Sequence, residues 1–374
     1  MKKNTLLIFT FLWCLYSFSQ TFKGVIKNAE TNQPISQITI ISEDDTFFTT
    51  SNEKGEVVLP ENILNQKLLI NDYQYEVSER IFSISENFTW GLTPNSETLE
   101  EIVIYSDLTQ FLEEIIDNSI KSFTNNTSLE TYYRENYFEN KAIASYAEGI
   151  VDFYIDKNTT QVLQLVKQSH VVDFAEVDDF NREVMSSPRE VLAASMRFNV
   201  IRTLINDKKK YEIYVTAKQV GDKTIHTCYI SPKSKKKNRF LMKGYFTFNE
   251  EKKLIYETNY AFDEEKKKYN TTINLIFGKI KIDDRQFQSK YIIGENFYYP
   301  SFAKRTIEMV TNSKLAKMEN VKVHNQAFFY VLKAGVPTST YSESERLNGN
   351  TLYSRGSIYK TEFWNDPEVI NFTE

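Results

Sequence analysis

The chain of 374 residues is poor in the side chains on which catalytic and metal sites are usually built. It holds three histidines, His170, His226 and His324, and two cysteines, Cys14 and Cys228. None of the histidines is followed by Glu at a ligand spacing, which excludes the zinc peptidase pattern. There is no G-x-S-x-G, no phosphate loop, no zinc helix motif and no nucleotide fingerprint. After the first twenty residues no apolar run reaches the ~18–20 residues that a membrane-crossing helix needs. Basic residues are not in excess: 45 Lys+Arg stand against 50 Asp+Glu, so nucleic acid is not expected as the main partner. What is abundant is core material. Hydrophobic residues make up 41% and aromatics 14%, enough to exclude global disorder.

The first twenty residues read as an export signal. Lys2 and Lys3 supply a positive start, Leu6 to Tyr16 an apolar core, and Ser17-Phe18-Ser19 small residues before a cut near Gln20. The run is short for a membrane anchor. Cys14 follows Leu12-Trp13 rather than the small residues a lipid anchor requires, so lipidation is not expected. Removal of residues 1–20 would leave 354 residues with a formal charge of −7. Cys228 would then be the sole cysteine, in a strand-like stretch where it reads as a small buried hydrophobe. A chain of this length predicts two domains.

Residues 21–106 predict a small antiparallel β-sandwich. Alternation marks Phe22–Lys27, Ile35–Ser42, Phe47–Ser51, Glu56–Leu59, Lys67–Ile70, Tyr75–Val77 and Glu101–Tyr105. Turn residues lie at Asn28–Pro34, and Asn52-Glu53-Lys54-Gly55 ends on a glycine suited to positive φ. Gly24-Val25-Ile26 followed by Asn32-Gln33-Pro34-Ile35, then Thr46–Thr50 and Asn52–Val57, resembles the carboxypeptidase-like regulatory domain. Leu99–Ile104 resembles the last strand of such domains in exported proteins of Bacteroidetes-type bacteria. The resemblance covers about 85 residues of the sequence. It implies a transthyretin-like sandwich that accompanies a peptidase without being one, and it implies no catalytic residue.

Residues 107–334 predict a larger curved antiparallel sheet with packing helices. Leu108, Phe111, Leu112, Ile115, Ile116, Ile120 and Phe123 form one stripe of a helix over 107–123, with Asp107 as N-cap and Gln110 at the reciprocal position. Ser187-Pro188-Arg189-Glu190 starts a second helix, expected to run to Asn206. Long strands are expected at Thr131–Asn140 and Ala142–Tyr154, where Tyr132-Tyr133-Arg134-Glu135 and Glu148-Gly149 also resemble exported proteins with the same accessory domain. A meander is expected over Tyr211–Lys218, Thr224–Ser231, Arg239–Phe248, Lys253–Phe262 and Tyr269–Phe277, with Gln288–Gly294, Ser301–Val310 and Asn320–Lys333 completing the sheet. A half-barrel holding a helix, as in periplasmic lipoprotein carriers, is the fold-level analogy. Residues 335–374 read as a loop-rich tail that Phe363-Trp364 anchors.

Each candidate site has a plain structural reading beside it. The basic run Pro232–Arg239 suits an anionic headgroup or acidic partner, yet reads as a solvated hairpin tip, as does Asp263–Lys268. Asp173, Glu176, Asp178 and Asp179 are oxygens calcium accepts, but their spacing matches no ion loop. Asp283-Asp284 reads as a turn. Glu135 and Glu148, on neighbouring strands, would face each other if they formed a glycosidase-type pair. Phe297-Tyr298-Tyr299 reads as core filler with a sugar- or lipid-contacting edge as the functional alternative. No residue is therefore assigned a catalytic, cofactor-binding or metal role. The expectation is a non-catalytic exported envelope protein, periplasmic or outer-membrane-associated, that binds or scaffolds an envelope protein, glycan or lipid. The alternative is a hydrolase using sheet carboxylates. An outer-membrane barrel is opposed by the charges of Lys243, Glu257 and Lys304 on its candidate strands.

Overall fold

The computed structural model describes residues 21–44, 47–96, 99–155, 163–174, 187–221, 223–276, 278–294, 296–313, 318–335, 346–347 and 351–357. The expected leader, Glu176, Asp178, Asp179, Phe363, Trp364 and most of the tail lie outside them. Strand accounts for 56% and helix for 15%, so the protein is mainly β, with a small sandwich preceding a large antiparallel sheet and a few helices.

The sandwich comprises β1 (Thr21–Asn28), β2 (Thr39–Ser42), β3 (Phe48–Thr50), β4 (Glu56–Pro60), β5 (Lys67–Ile70), β6 (Ser78–Ile81) and β7 (Phe88–Leu92). They form two sheets, ordered β4-β1-β7 and β3-β2-β5-β6. Alternate apolar residues of both sheets meet between them: Phe22 and Ile26 from β1, Ile40 from β2, Val57 and Leu59 from β4, Leu68 and Ile70 from β5, Trp90 and Leu92 from β7. Gly55 has φ +74°, and a Cβ there would lie 2.6 Å from the Ile26 carbonyl oxygen, so the turn requires glycine. Asn52 braces the same turn by accepting from the backbone N–H groups of Lys54 and Glu56 at 2.9 and 2.8 Å.

The sandwich departs from expectation in three places. Strand β2 starts at Thr39 rather than Ile35, because Gln37 takes φ +61° and breaks the extended run. Tyr75–Val77 is not a strand; Tyr75 makes an isolated bridge to Pro94, while β6 and β7 lie on either side of the polar stretch that hid them. The sandwich is also not wholly antiparallel, since β1 pairs with β7 in parallel.

The large sheet contains β8 (Glu101–Val103), β9 (Thr127–Glu139), β10 (Ala142–Ile155), β11 (Leu163–Asp173), β12 (Tyr211–Val220), β13 (Lys223–Pro232), β14 (Met242–Asn249), β15 (Leu254–Phe262), β16 (Ile273–Leu275), β17 (Gly278–Ile293), β18 (Tyr298–Ser313) and β19 (Met318–Gly335). Their order is β11-β10-β9-β19-β18-β17-β15-β14-β13-β12-β8, with β16 paired to β17. The first four strands of the meander pair antiparallel in sequence order, as expected from their short links, but of the expected strand Tyr269–Phe277 only β16 forms, and β15 pairs instead with β17, which begins at Gly278 rather than Gln288. Asn140 and Lys141 both have positive φ, the signature of a two-residue turn whose twist suits the β9–β10 hairpin. Glu101–Val103, expected to close the sandwich, instead pairs with β12 at the end of the large sheet. Asp283-Asp284 is not a turn but lies inside β17, at a register shift opposite β18 that absorbs the two adjacent charges.

Helices cover one face of this sheet. Helix α1 (Leu108–Ser122) starts where Asp107 accepts from the Gln110 N–H, and buries Leu112, Ile115 and Ile116. Ser187 caps α2 (Pro188–Arg197) by accepting from the Glu190 N–H. The single helix expected to Asn206 is in fact two. Phe198 adopts the left-handed region, φ +49°, and α3 (Asn199–Asn206) leaves at a new angle. Such a φ costs a non-glycine residue about 1–3 kcal/mol. Burial of the Phe198 ring against Phe123 and Tyr291, centroids 6.0 and 5.5 Å away, offsets it. The Tyr291 hydroxyl donates to the Ser195 carbonyl at 2.6 Å, fixing α2 to β17.

The opposite face of the sheet carries the sandwich. Tyr73 packs with Val220, Ile225 and Tyr256, and Phe48 stacks near Phe297 and Tyr299 at 6.1 and 6.2 Å. Phe48 thereby joins the main core rather than the sandwich core. Phe48→Ala is expected to lower the unfolding free energy by about 3–5 kcal/mol, the usual cost of emptying a buried phenylalanine site. Urea denaturation monitored by tyrosine and tryptophan fluorescence measures this; a change within error would show that the two modules do not depend on this contact.

Candidate functional site

The β9–β10 register decides what Glu135 and Glu148 can do. Glu135 lies opposite Ala147, and Glu148 lies opposite Arg134. Adjacent residues of a strand point to opposite faces, so the two carboxylates are on different sides of the sheet. The face-to-face pair that the hydrolase alternative would need does not form, and the two groups cannot flank one bond.

Both carboxylates are nonetheless buried. On the helix-bearing face, Glu135 accepts from the Tyr133 hydroxyl at 3.0 Å and from the Tyr353 backbone N–H at 2.6 Å. Tyr353 belongs to a short turn of helix, α4 (Leu352–Arg355), which Thr351 and Ser354 cap reciprocally. Leu352 is fully buried, and the Tyr353 hydroxyl donates to Asp173 at 2.7 Å. Downstream, Gly356 accepts from the Ser169 hydroxyl at 2.6 Å, and the Ser357 hydroxyl accepts from the Val171 N–H at 3.0 Å. Glu135 is thus the pin that holds the C-terminal segment across β9–β11. Burial pushes its pKa from the usual 4.5 up to about 7; the N–H groups of Tyr353 and Leu352 and the Tyr133 hydroxyl pull the other way and do not overcome it.

On the sandwich-bearing face, Glu148 accepts from the Tyr132 hydroxyl at 2.5 Å and lies 3.6 Å from Arg134 and 3.3 Å from His170 Nδ1. The Arg134 guanidinium sits 4.5 Å over the Tyr146 ring and donates to Asn136 at 2.8 Å. Burial, then the neighbouring Glu148 charge, raises the Tyr132 hydroxyl far above its ordinary value, so it stays a proton donor to the carboxylate. The arrangement is a closed set of complementary charges that locks β9, β10 and β11 together.

A cleft opens between the sandwich and the sheet. It holds about 210 Å³ and is lined from the sandwich by Gln37, Thr39, Ile41, Asn71, Asp72 and Tyr73. From the sheet come Lys223, Asn249, Glu251, Lys252, Tyr256, Glu257, Lys290, Tyr291, Ile292, Ile293 and Ser301. Lys223 donates to Asn71 across the seam, and the Tyr73 and Tyr256 rings approach to 5.5 Å at one wall. The lining combines amides, hydroxyls and charges of both signs with three tyrosines.

The other sequence-picked groups take structural places. The Pro232–Arg239 run links β13 to β14, with the Lys233 ammonium donating to the Lys208 carbonyl at 2.7 Å and the Ser234 carbonyl accepting from Lys266 at 2.8 Å. Of the acidic cluster only Asp173 is described, and it accepts from Tyr353. Tyr298 and Tyr299 are buried; Phe297 and Tyr299 meet Phe48, while Tyr298 stacks on Phe123. His226 stacks on Phe248 and meets Glu250 at 2.9 Å; burial lowers its pKa despite that carboxylate. His324 pairs with Glu308 at 3.1 Å. Cys228 is buried and its thiol is pushed up, which suits an inert core residue. The cleft residues were not singled out from sequence. Their signal is spread over two modules, and only the positive φ of Gln37 and the polar tip Asn71-Asp72 bring the sandwich half to the seam.

No known family matches the chain, and no curated protein matches it. Among solved structures, lipovitellin, described for its lipid–protein interactions, overlaps 62% of this chain at 8% identity with a TM-score of 0.26, and this chain spans 28% of its length. A putative carbohydrate binding protein from Bacteroides uniformis overlaps 42% of this chain and 99% of its own, at 8% identity and TM-score 0.18. A LolA superfamily protein from Nitrosomonas europaea overlaps 61% of this chain and 94% of its own, at 7% identity and TM-score 0.23. Likenesses this low transfer neither a fold nor a function.

The raised pKa of Glu135 sets a pH dependence. The folded chain holds this proton more tightly than the unfolded chain, so the associated stability is complete below pH 4.5 and is lost as the pH rises toward 7. Across that window the loss is about 1.4 kcal/mol per pH unit. Urea unfolding at pH 5 and pH 7 is expected to show a smaller difference for Glu135→Gln than for the parent chain. Equal differences would show that Glu135 does not titrate in this range.

Proposed function

We propose that the chain is an exported, non-catalytic envelope protein that binds a glycan in the cleft between its two modules. The observation that carries this reading is the composition of that cleft. Amide, hydroxyl and charged groups surround a space of about 210 Å³, with the tyrosine pair at its wall. Binding pockets favour junctions between domains, with a few converging polar groups to set specificity. A ring-shaped, hydroxyl-rich ligand matches that lining better than an acyl chain, which has no use for Asn71, Asn249 or Lys290. The apolar residues on the opposite face of the sheet are engaged by α1, α2 and α3, which favours the glycan over the lipid.

In this reading the sandwich is a carboxypeptidase-like regulatory module of transthyretin type. It contributes one wall of the site and no chemistry. The support is the ordered motif run from Gly24 to Val57 and the turn that requires Gly55. The hydrolase alternative loses its paired carboxylates, because Glu135 and Glu148 face apart.

Titration calorimetry of the purified chain against a panel of envelope oligosaccharides, with phospholipid vesicles in parallel, tests the proposal. Oligosaccharide binding is expected, weakened at least about tenfold in Asn249→Ala and Lys290→Ala; loss of one or two hydrogen bonds to a charged or amide group has that size. Binding of vesicles alone would overturn it. So would turnover of peptide, ester or glycan substrates that Glu135→Gln or Glu148→Gln abolishes.

A further inference from the structure

The open end of the large sheet presents a surface that does not line the cleft. Strand β8 is the terminal strand there, paired with β12 on one side only, and no strand among the described residues covers its other side. Alternate backbone N–H and C=O groups of an edge strand point outward, ready to pair with another extended chain. Natural edges are usually blunted. This one is instead flanked by large apolar side chains held in water: Leu99 is 90% exposed, Ile102 72% and Ile104 92%. Val103, between them, packs into the core and fixes which way the others face.

The charge of the edge selects what it can accept. Between Arg80 and Lys121 the chain has eight carboxylates and no Lys or Arg. Those on α1 are already matched, Glu113 and Asp117 by Arg202 and Glu114 by Lys253. Glu100 and Glu101, beside the open edge, face no cation among the described residues; Glu100 receives only the Tyr229 hydroxyl at 3.2 Å. A second copy of this chain would bring the same acidic strand against itself, and like charges across a strand pair repel.

We propose that the β8 edge is a docking site for an extended segment of another protein, in which basic residues alternate with apolar ones. The incoming strand adds to the sheet beside β8. Its apolar side chains cover Ile102 and Ile104 on one face, and its cations meet Glu101 on the other. Main-chain hydrogen bonds supply affinity and the alternate side chains supply selectivity, as in other strand-addition complexes.

The test uses the full chain and two capped, strand-length peptides, one alternating Lys with Val and one alternating Glu with Val. The Lys peptide is expected to bind, to weaken as salt rises, and to slow hydrogen exchange of the amides of residues 99–105. The double variant Leu99→Lys/Ile104→Lys changes only exposed positions and is expected to cut binding at least about tenfold with no change in melting temperature. Val77→Lys/Ile84→Lys alters exposed apolar residues of the sandwich and is expected to leave binding unchanged. Equal binding of both peptides, no slowing in 99–105, or loss of binding in the sandwich variant would overturn the proposal. So would self-association of the parent chain that Leu99→Lys/Ile104→Lys abolishes, which would make a second copy the occupant.

Discussion

An antiparallel sheet of twelve strands has two broad faces, and in this protein both carry apolar side chains that must leave water. That constraint organises everything else. Strand alternation sends Tyr291 and Phe329 into the main core and Tyr132, Phe302 and Tyr330 into a separate cluster of their own. A sheet with one wet face would need only helices for cover. Here the helices take one side, and the N-terminal module lies against the other through Tyr73 and Phe48. The sandwich is therefore part of the sheet's packing as well as a module with a core of its own, and the seam it leaves is the cleft.

The same sheet accommodates two carboxylates in environments of different kinds. Glu148 is surrounded by groups that favour its charge: a tyrosine hydroxyl, a guanidinium and an imidazole. Glu135 has no cation in contact among the described residues and depends on backbone N–H groups of a segment more than two hundred positions away in sequence. At Glu135 desolvation wins and holds the carboxyl above its ordinary range. Such groups are commonly read as catalytic when met in sequence. In the folded chain each is used to tie strands and the C-terminal segment together.

The two proposed binding surfaces follow from how the sheet is terminated and covered. At its β11 end, residues 356–357 hydrogen-bond along the strand. At its β8 end the chain passes from sandwich to sheet and leaves an apolar, acidic edge. The cleft and the edge differ in chemistry because the cleft is walled by loops and outward-facing strand residues from two modules, whereas the edge is a single segment whose backbone is itself the recognition element.

Local features were legible in the residues alone. The stripe from Leu108 to Phe123, the Ser187-Pro188 start of a helix, the Gly55 turn and the first four strands of the antiparallel meander all follow from short-range patterns, because propensity, capping and alternation act over a few residues. So do the burial of Cys228 and of the aromatic run before Pro300. The sequence could not assign Glu101–Val103 to the large sheet, place Asp283-Asp284 within a strand, split the helix at Phe198 or set Glu135 and Glu148 on opposite faces. Each of those depends on a partner distant in the chain, β12, β18, Phe123 or the β9–β10 register, and pairing energy between distant segments leaves no local mark. Composition and spacing thus determined the class of fold and most of its pieces, while the contacts among those pieces decided where a cleft opens, which edge stays bare and what each buried charge is for.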